Sequence, residues 1–560
     1  MATKGKPQQK SQPIKKKVVT SKPETAGILD KLESWFKKHD TKIFYTLLLL
    51  STLFSLLLFD AKVSEGGDDS SYIQRAWALL YKGKYPYYQG PGYPIFLSLF
   101  VKLFGLNIIA LKFFSVLCQF GFVWFTYKSF HKRIPYTVLF ALISFISFNS
   151  FIQYYASQTF TETFFLFIQS ICIYIVFKII DSINTELNLI DGFKQNYLKW
   201  LLFGLLFVLL SISKSVAFVA IISILAYFIL TKNYKQAIYA IIAFMFIRVI
   251  YQLISSSLFG PSDSDQFEMI LRKNLYKPEL GHEDFSGMVT RFFANLNTYF
   301  SLHVYRIFNL RSYSTLVTIP SLTFITATII GIYTFLSYKK NKFIFFSSIY
   351  FILLCGGIFI GIQAANMQER LIIVAIPLIF LLLFFGTYEL VKRSSVAQFL
   401  FVVFASIMLL ITIGKSTVLA EKNVVVLKKN LSGDLYYGFT PDWVNFLKMS
   451  KYCADSLPDS ARVVSRKPGM SFLYGKGKEF VGQYWVTSTN PDSVLMGWQN
   501  NKVKYVICSS FRMDPKKNDG RIINTIQRML QPIAEKYPQK LRLIKTYGTE
   551  EPTALYEIDY

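Results

Sequence analysis

Apolar residues fall into long runs along this chain, at about 43–60, 107–128, 136–151, 160–180, 236–259, 315–337, 343–363, 371–390 and 396–418. A helix needs roughly 20 residues to cross the hydrocarbon core of a bilayer, so each run reads as a membrane span. A further stretch, "LLFGLLFVLLSISKSVAFVAIISILAYFIL" (201–230), is too long for one helix and is interrupted by Ser-Ile-Ser-Lys-Ser. It predicts two short spans meeting near Lys214, and about eleven spans in all. The first 42 residues are rich in Lys, Gln, Pro and Ser and read as a disordered basic tail leading into the amphipathic piece "ILDKLESWFKKHD". That lead is too long and polar for a cleaved signal peptide. Beyond 420 the pattern turns soluble. "ARVVSRKP", "KVKYVICSS" and "ALYEID" predict short strands, and "PDWVNFLKMSKYCADSL" and "RIINTIQRMLQPIAEKY" have helical spacing. The fold class is therefore mainly α: a polytopic membrane protein with a C-terminal soluble α/β domain. Its parts are a basic tail (1–42), a membrane domain (43–420) and an α/β domain (421–560).

Composition agrees. Of 560 residues, 52% are hydrophobic, with a mean hydropathy of +0.35, too little polar residue to cover a soluble surface. The net charge of +27 would by itself suggest nucleic acid. Here the Lys and Arg come in short clusters between apolar runs, as in cytoplasmic loops near anionic lipid, and no nucleic-acid-binding pattern accompanies them. Five cysteines are too few for a disulfide scaffold. Cys118, Cys172 and Cys355 read as buried apolar groups, while Cys453 and Cys508 can pair only if the C-terminal domain is extracytoplasmic. The four histidines show no metal-ligand spacing.

Charge also orients the spans. With the N-terminus inside, the inward segments are 128–133, 181–199, 232–235, 338–342 and 392–393, and all carry Lys or Arg. The short outward loops carry little positive charge, and the large one, 260–313, has six residues of each sign. Lys214 is the exception, a lone cation on the outward side. The first outward loop, 60–106, opens with "EGGDDSSYIQRAWALLYKG". Gly66-Gly67 permits a turn, Asp68 or Asp69 can accept N–H groups of the following helix, and Gly83 suits its C-cap. Capping needs one carboxylate, and two are present.

"PYYQGPGYPIFLSLFVKLFG" (86–105) follows. Asp-Asp-x-x-Tyr, a helix ending in Gly, Pro91-Gly92-Tyr93-Pro94 and a short apolar helix ending in Phe104-Gly105 together resemble the first loop of the GT-C-type membrane glycosyltransferases. The branch resembled is that of the protein O-mannosyltransferases and lipid A aminoarabinose transferases. There the loop carries Asp-Glu-x-x-Tyr, whose first Asp is the catalytic acid/base residue; Asp68 matches it, and Asp69 replaces the Glu. "SQTFTETFFLF" (157–167) is similar to the family's second acidic site and implies a role for Glu162, which also reads as a helix-start carboxylate. Lys214 matches the family's cation between two short spans, beside the donor phosphate; it also reads as a snorkelling lysine. "NMQERLIIVAIPLIFLLLFFG" (366–386) is similar to the family's Arg-leading helix, where Arg370 would bind a lipid-linked phosphate. Glu369 either pairs with Arg370 or joins Tyr72 and Tyr93 in contacting substrate. The resemblance covers roughly 43–420.

The resemblance implies a polyprenyl-phosphate-linked sugar as donor and an acceptor hydroxyl on protein, lipid or polysaccharide. Asp68 would act as general base, with Asp69 or Glu162 orienting the acceptor or sugar, and Lys214 and Arg370 would hold the phosphate. Asp68, Asp69 and Glu162 are also the oxygen ligands available to Mg2+ or Mn2+. No nucleotide-binding fingerprint appears. The expected location is a bacterial inner membrane, with the N-terminus cytoplasmic and the C-terminal domain periplasmic. Two other classes remain compatible, a lipid or solute transporter and a non-catalytic membrane assembly protein. No repeat between 43–230 and 236–418 supports the transporter.

Overall fold

The apolar runs become helices that pack side by side. The computed structural model describes residues 27–560 apart from 89, 184–186, 261–265, 275–277, 313–315, 364–367 and 513–521. Among the described residues, nine helices are long and apolar enough to cross a bilayer, from Ile28–Leu57 to Ser395–Leu431. Tyr136–Phe148 and Ser150–Ala156 form a tenth, bent by 55° at Asn149. Two shorter apolar helices, Gly92–Phe104 and Ser215–Leu230, accompany them, so nine or ten helices of spanning length stand among the described residues against the eleven or so expected. Asn149 causes the bend locally: its side chain accepts from Phe151 and Ile152 N–H, capping the second piece.

Two boundaries differ from the sequence reading. The stretch 201–230 does break at Lys214, whose backbone is extended, but its first half belongs to a 25-residue helix, Leu189–Ser213. That helix takes in much of the expected inward loop 181–199, its polar first turns joining the apolar part across a kink at Asn196 (φ −124°, ψ 18°). At the other junction, helix Ser395–Leu431 runs past residue 420 without a break and ends where Gly433 takes a positive φ. The boundary expected at 420 thus falls inside one helix.

The C-terminal domain is built on a five-stranded mixed sheet. In chain order the strands are β1 (Arg462–Ser465), β2 (Phe480–Gly482), β3 (Val503–Ser509), β4 (Phe511–Arg512), β5 (Ile522–Ile523), β6 (Leu541–Tyr547) and β7 (Thr553–Ile558). The sheet order is β2-β1-β3-β7-β6, with β2, β1 and β3 parallel and β7 and β6 antiparallel additions; β4 and β5 form a separate pair. Alternation sorts its two faces. Val463, Ile507 and Leu555 pack with Trp443 and Phe446 of helix Pro441–Ser456, continuous with the core of the membrane domain. Val464 and Val506 face Trp498 and Ile526 of the outer helices. Cys453 and Cys508 are both free thiols.

One buried ion pair fixes the first loop where it leaves its helix. Lys112, wholly buried in helix Ile108–Phe130, donates to Asp60 at 2.6 Å. Removing one member of such a pair leaves an uncompensated charge. Lys112→Met will therefore destabilise the protein by about 3–5 kcal/mol. Adding Asp60→Asn will restore much of that, read as thermal unfolding in detergent. An unchanged melting temperature in the single variant would refute this.

Candidate active site

Four charged groups scattered between residues 68 and 370 meet at the end of the bundle that carries the C-terminal domain. Asp68 opens helix Asp68–Lys82, Glu162 lies in the first turn of Thr161–Asp181, Lys214 sits at the break after Ser213, and Arg370 lies in the 3-10 turn Glu369–Ala375. They alternate in sign. Asp68 Oδ2 meets Arg370 Nη1 at 2.7 Å, and Arg370 Nε lies 3.3 Å from Glu162 Oε1, which accepts from Lys214 Nζ at 2.8 Å. The Arg370 guanidinium also sits over the Phe160 ring, 5.2 Å from its centroid. Glu162 is 1% exposed, a position tenable for a carboxylate only with cations beside it. Its other oxygen, Oε2, is buried and has no hydrogen-bond partner among the described residues.

The Asp pair divides its work. The turn at Gly67 (φ +87) delivers the chain into the helix without a side-chain cap, so neither Asp is the cap residue expected from the sequence. Asp69 is fully buried and points back into its own loop, accepting from Ser64 N–H (2.7 Å), Ser64 Oγ (3.0 Å) and Ser70 N–H (2.8 Å). Burial pushes its pKa up to about 6, against the pull of those donors. Asp68 points the other way, towards Arg370. The glycines of 86–105 seat the lysine. Gly90 (φ +91) lies so close to helix Leu189–Ser213 that an added Cβ would sit 2.6 Å from the Ser213 carbonyl oxygen, next to Lys214. Gly90→Ala will cost on the order of 2 kcal/mol by strain and overlap, lowering the melting temperature in detergent. An unaltered melting temperature would disprove the fit.

Tyr93 is 0% exposed and packs against Tyr72, Phe114 and Phe164, so its ring is part of the core beneath the loop. Tyr72 is also buried, between Tyr93 and the guanidinium of Arg75, although its edge borders the Asp68–Arg370 pair. Glu369 does not pair with Arg370. Successive residues of a 3-10 turn point about 120° apart, and Glu369 turns to Arg306 and to His303 Nδ1, at 3.4 Å from the latter. Among the described residues no three His, Cys, Asp or Glu side chains gather as a metal-binding group. Asp68 and Glu162 each face Arg370, while Asp69 faces its own loop.

Two groups beside this site escaped the sequence reading. Lys112 had the same signal as Lys214, a lone cation in an apolar run. Lys467, in the C-terminal domain, had none: it donates to the carbonyl oxygens of Glu65 (2.7 Å) and Gly66 (2.9 Å), some 400 residues earlier.

No family model matches the sequence, and no curated protein matches it. Solved structures do. ArnT from Cupriavidus metallidurans bound to undecaprenyl phosphate aligns with a TM-score of 0.53 at 10% identity, covering 92% of this chain and 97% of that one. The archaeal oligosaccharyltransferase AglB from Archaeoglobus fulgidus, in complex with an inhibitory peptide and a dolichol-phosphate, aligns with a TM-score of 0.54 at 12% identity. That alignment covers 85% of this chain and 70% of the other. The chain shares the fold of these neighbours, and in it a polytopic helical membrane domain carries a C-terminal α/β domain.

Proposed function

We propose that the protein is a membrane glycosyltransferase that moves a hexose or pentose from a polyprenyl-phosphate donor to an acceptor hydroxyl. The observation that carries this reading is the alternating array Asp68–Arg370–Glu162–Lys214 at the mouth of a GT-C bundle. Arg370 and Lys214 suit the donor phosphate by charge and, for Arg370, by its forked geometry. The array is charge-neutral as it stands, so an arriving phosphate competes with the carboxylates for their cations. Taking Arg370 releases Asp68 towards the acceptor.

Asp68 then removes the acceptor proton as the acceptor oxygen attacks the anomeric carbon. The bond from that carbon to the phosphate oxygen breaks, and its electron pair leaves with the phosphate, whose growing charge Arg370 and Lys214 stabilise. Glu162 Oε2, buried and without a hydrogen-bond partner among the described residues, accepts from a sugar hydroxyl in this reading. Asp69 holds the loop that aims Asp68. The reading includes an orientation: N-terminus in the cytoplasm, site and C-terminal domain on the extracytoplasmic face of a bacterial inner membrane. The neighbours' lipid ligands, undecaprenyl phosphate and a dolichol-phosphate, support the donor class. Mass spectrometry of cells lacking the protein tests it. A polyprenyl-phosphate sugar should accumulate while one glycan loses that sugar; unchanged profiles of both would sink the proposal.

A further inference from the structure

The loop that presents Asp68 is gripped from the soluble domain at points far apart in sequence. Lys467 Nζ donates to two successive carbonyl oxygens, Glu65 and Gly66, in the turn that ends at Gly67. Its ammonium lies 5.7 Å from the centroid of Trp443, a ring buried in the domain core, so the lysine is held from below as it reaches the loop. Gly469, two residues on, packs directly on the helix that Asp68 begins. A Cβ there would lie 2.8 Å from Ser70 Oγ and 3.0 Å from Ser71 N, so only glycine allows this approach. Tyr474 donates to the Ala61 carbonyl at 3.2 Å, Lys62 donates to the Gly438 carbonyl, and Lys82 meets Glu479 at 2.6 Å. The domain thus holds the loop at its entry, at its turn and at the far end of its helix.

We propose that the C-terminal domain is a positioning element for the Asp68 loop, and that Lys467 is its latch. The inference rests on the reading of Asp68 as the general base. Lys467 is a positioning residue: its side-chain nitrogen donates to two loop carbonyls, Glu65 and Gly66. Two carbonyls held by one ammonium fix the peptide planes on either side of Gly66, and Gly67 passes that orientation to Asp68 and Asp69. A bare Gly-Gly turn has the largest conformational freedom available to a chain, so an external clamp has most effect there.

The latch has a definite pH sense. Lys467 faces Arg466 on its own element and Asp68, Asp69 and Glu65 on the loop side. Burial, with Arg466 adding to it, lowers its pKa to about 8 from the ordinary 10.5. The latched state therefore binds the proton less tightly than a state in which the lysine swings into water. By linkage, latching is weakest below pH 8 and strengthens as pH rises from about 8 towards 10.5.

Hydrogen–deuterium exchange on the full-length protein in detergent tests this without any substrate. Corrected for intrinsic rates, amides of 63–71 in the wild type should become about tenfold better protected between pH 7 and pH 9, the change that one pH unit beyond the folded pKa allows. Lys467→Met should raise their exchange at pH 7 by about tenfold or more, leaving β1 and β3 protected. Lys467→Arg should restore protection and abolish the pH dependence. Once the donor is known, Lys467→Met should lower kcat roughly tenfold or more. Undecaprenyl phosphate binding should stay within twofold, since Arg370 and Lys214 are untouched, and Lys467→Arg should recover turnover. Flat exchange in the wild type together with normal loop protection in Lys467→Met would overturn the latch. Loss of all transfer by the wild type would count instead against the glycosyltransferase reading, leaving the exchange result standing.

Discussion

Asp68→Asn will lower sugar transfer by about 10^2–10^4-fold, the usual worth of a positioned general base, with undecaprenyl phosphate binding unchanged or tighter. The side chain keeps its shape but can no longer take a proton. It also gives up the ionic partner of Arg370 at 2.7 Å, which frees that guanidinium for phosphate. Asp69→Asn is the contrasting variant. Asp69 accepts three hydrogen bonds from Ser64 and Ser70, so its main effect will be on loop order and melting temperature, with activity falling as a consequence. An Asp68→Asn protein that folds and transfers at the wild-type rate would eliminate Asp68 as the base. Paired measurement of transfer and lipid-phosphate binding separates this from a general loss of structure, which would lower both.

The second large effect is expected at Arg370, which lies between Asp68 and Glu162 in the array. Arg370→Ala will weaken undecaprenyl phosphate binding by about 100-fold or more, the scale of truncating one member of a desolvated charge pair. It will also lower thermal stability, because Glu162 then has Lys214 alone to balance a carboxylate that is 1% exposed. Arg370→Lys will fall between, since one ammonium cannot reproduce the fork that meets both Asp68 Oδ2 and Glu162 Oε1. Lys214→Ala will be milder, because Lys214 bonds to Glu162 only at its outer side. Combining Arg370→Met with Glu162→Gln distinguishes the two functions of the arginine. Stability should return with the charges removed together, while phosphate binding should not. Recovery of phosphate binding in that double variant, or unimpaired binding in Arg370→Ala, would remove Arg370 from the phosphate site.

Much of the candidate site was legible because charges are conspicuous in an apolar chain. Glu162, Lys214 and Arg370 each stand in or beside a run of apolar residues, where an ionisable group is costly without a partner. Lys112 shows the same signal, and the structure supplies its partner in Asp60. Roles within a motif were less legible. Asp68 and Asp69 are adjacent, yet one faces Arg370 and the other its own loop, because consecutive helical residues point in different directions. Tyr93 lies in the most recognisable stretch of the first loop, but its ring is a core element, and that stretch works through Gly90 pressing on Ser213. Glu369 beside Arg370 suggested a pair, and the 3-10 turn separated them.

The sequence by itself determined the membrane class, the break at Lys214 and the α/β character of the last 130 residues or so. A bilayer acts residue by residue, so hydropathy alone decides which positions are submerged and which emerge. The tertiary structure decided everything lateral: that Asp68, Arg370, Glu162 and Lys214 meet in one alternating chain, that Asp69 and Tyr93 turn inward, and that Lys467 reaches across to the loop at Glu65 and Gly66. Those outcomes depend on which helices pack together and how each is rotated about its axis. Both are settled by contacts between residues tens to hundreds of positions apart, to which a local pattern of apolar and polar residues carries no pointer.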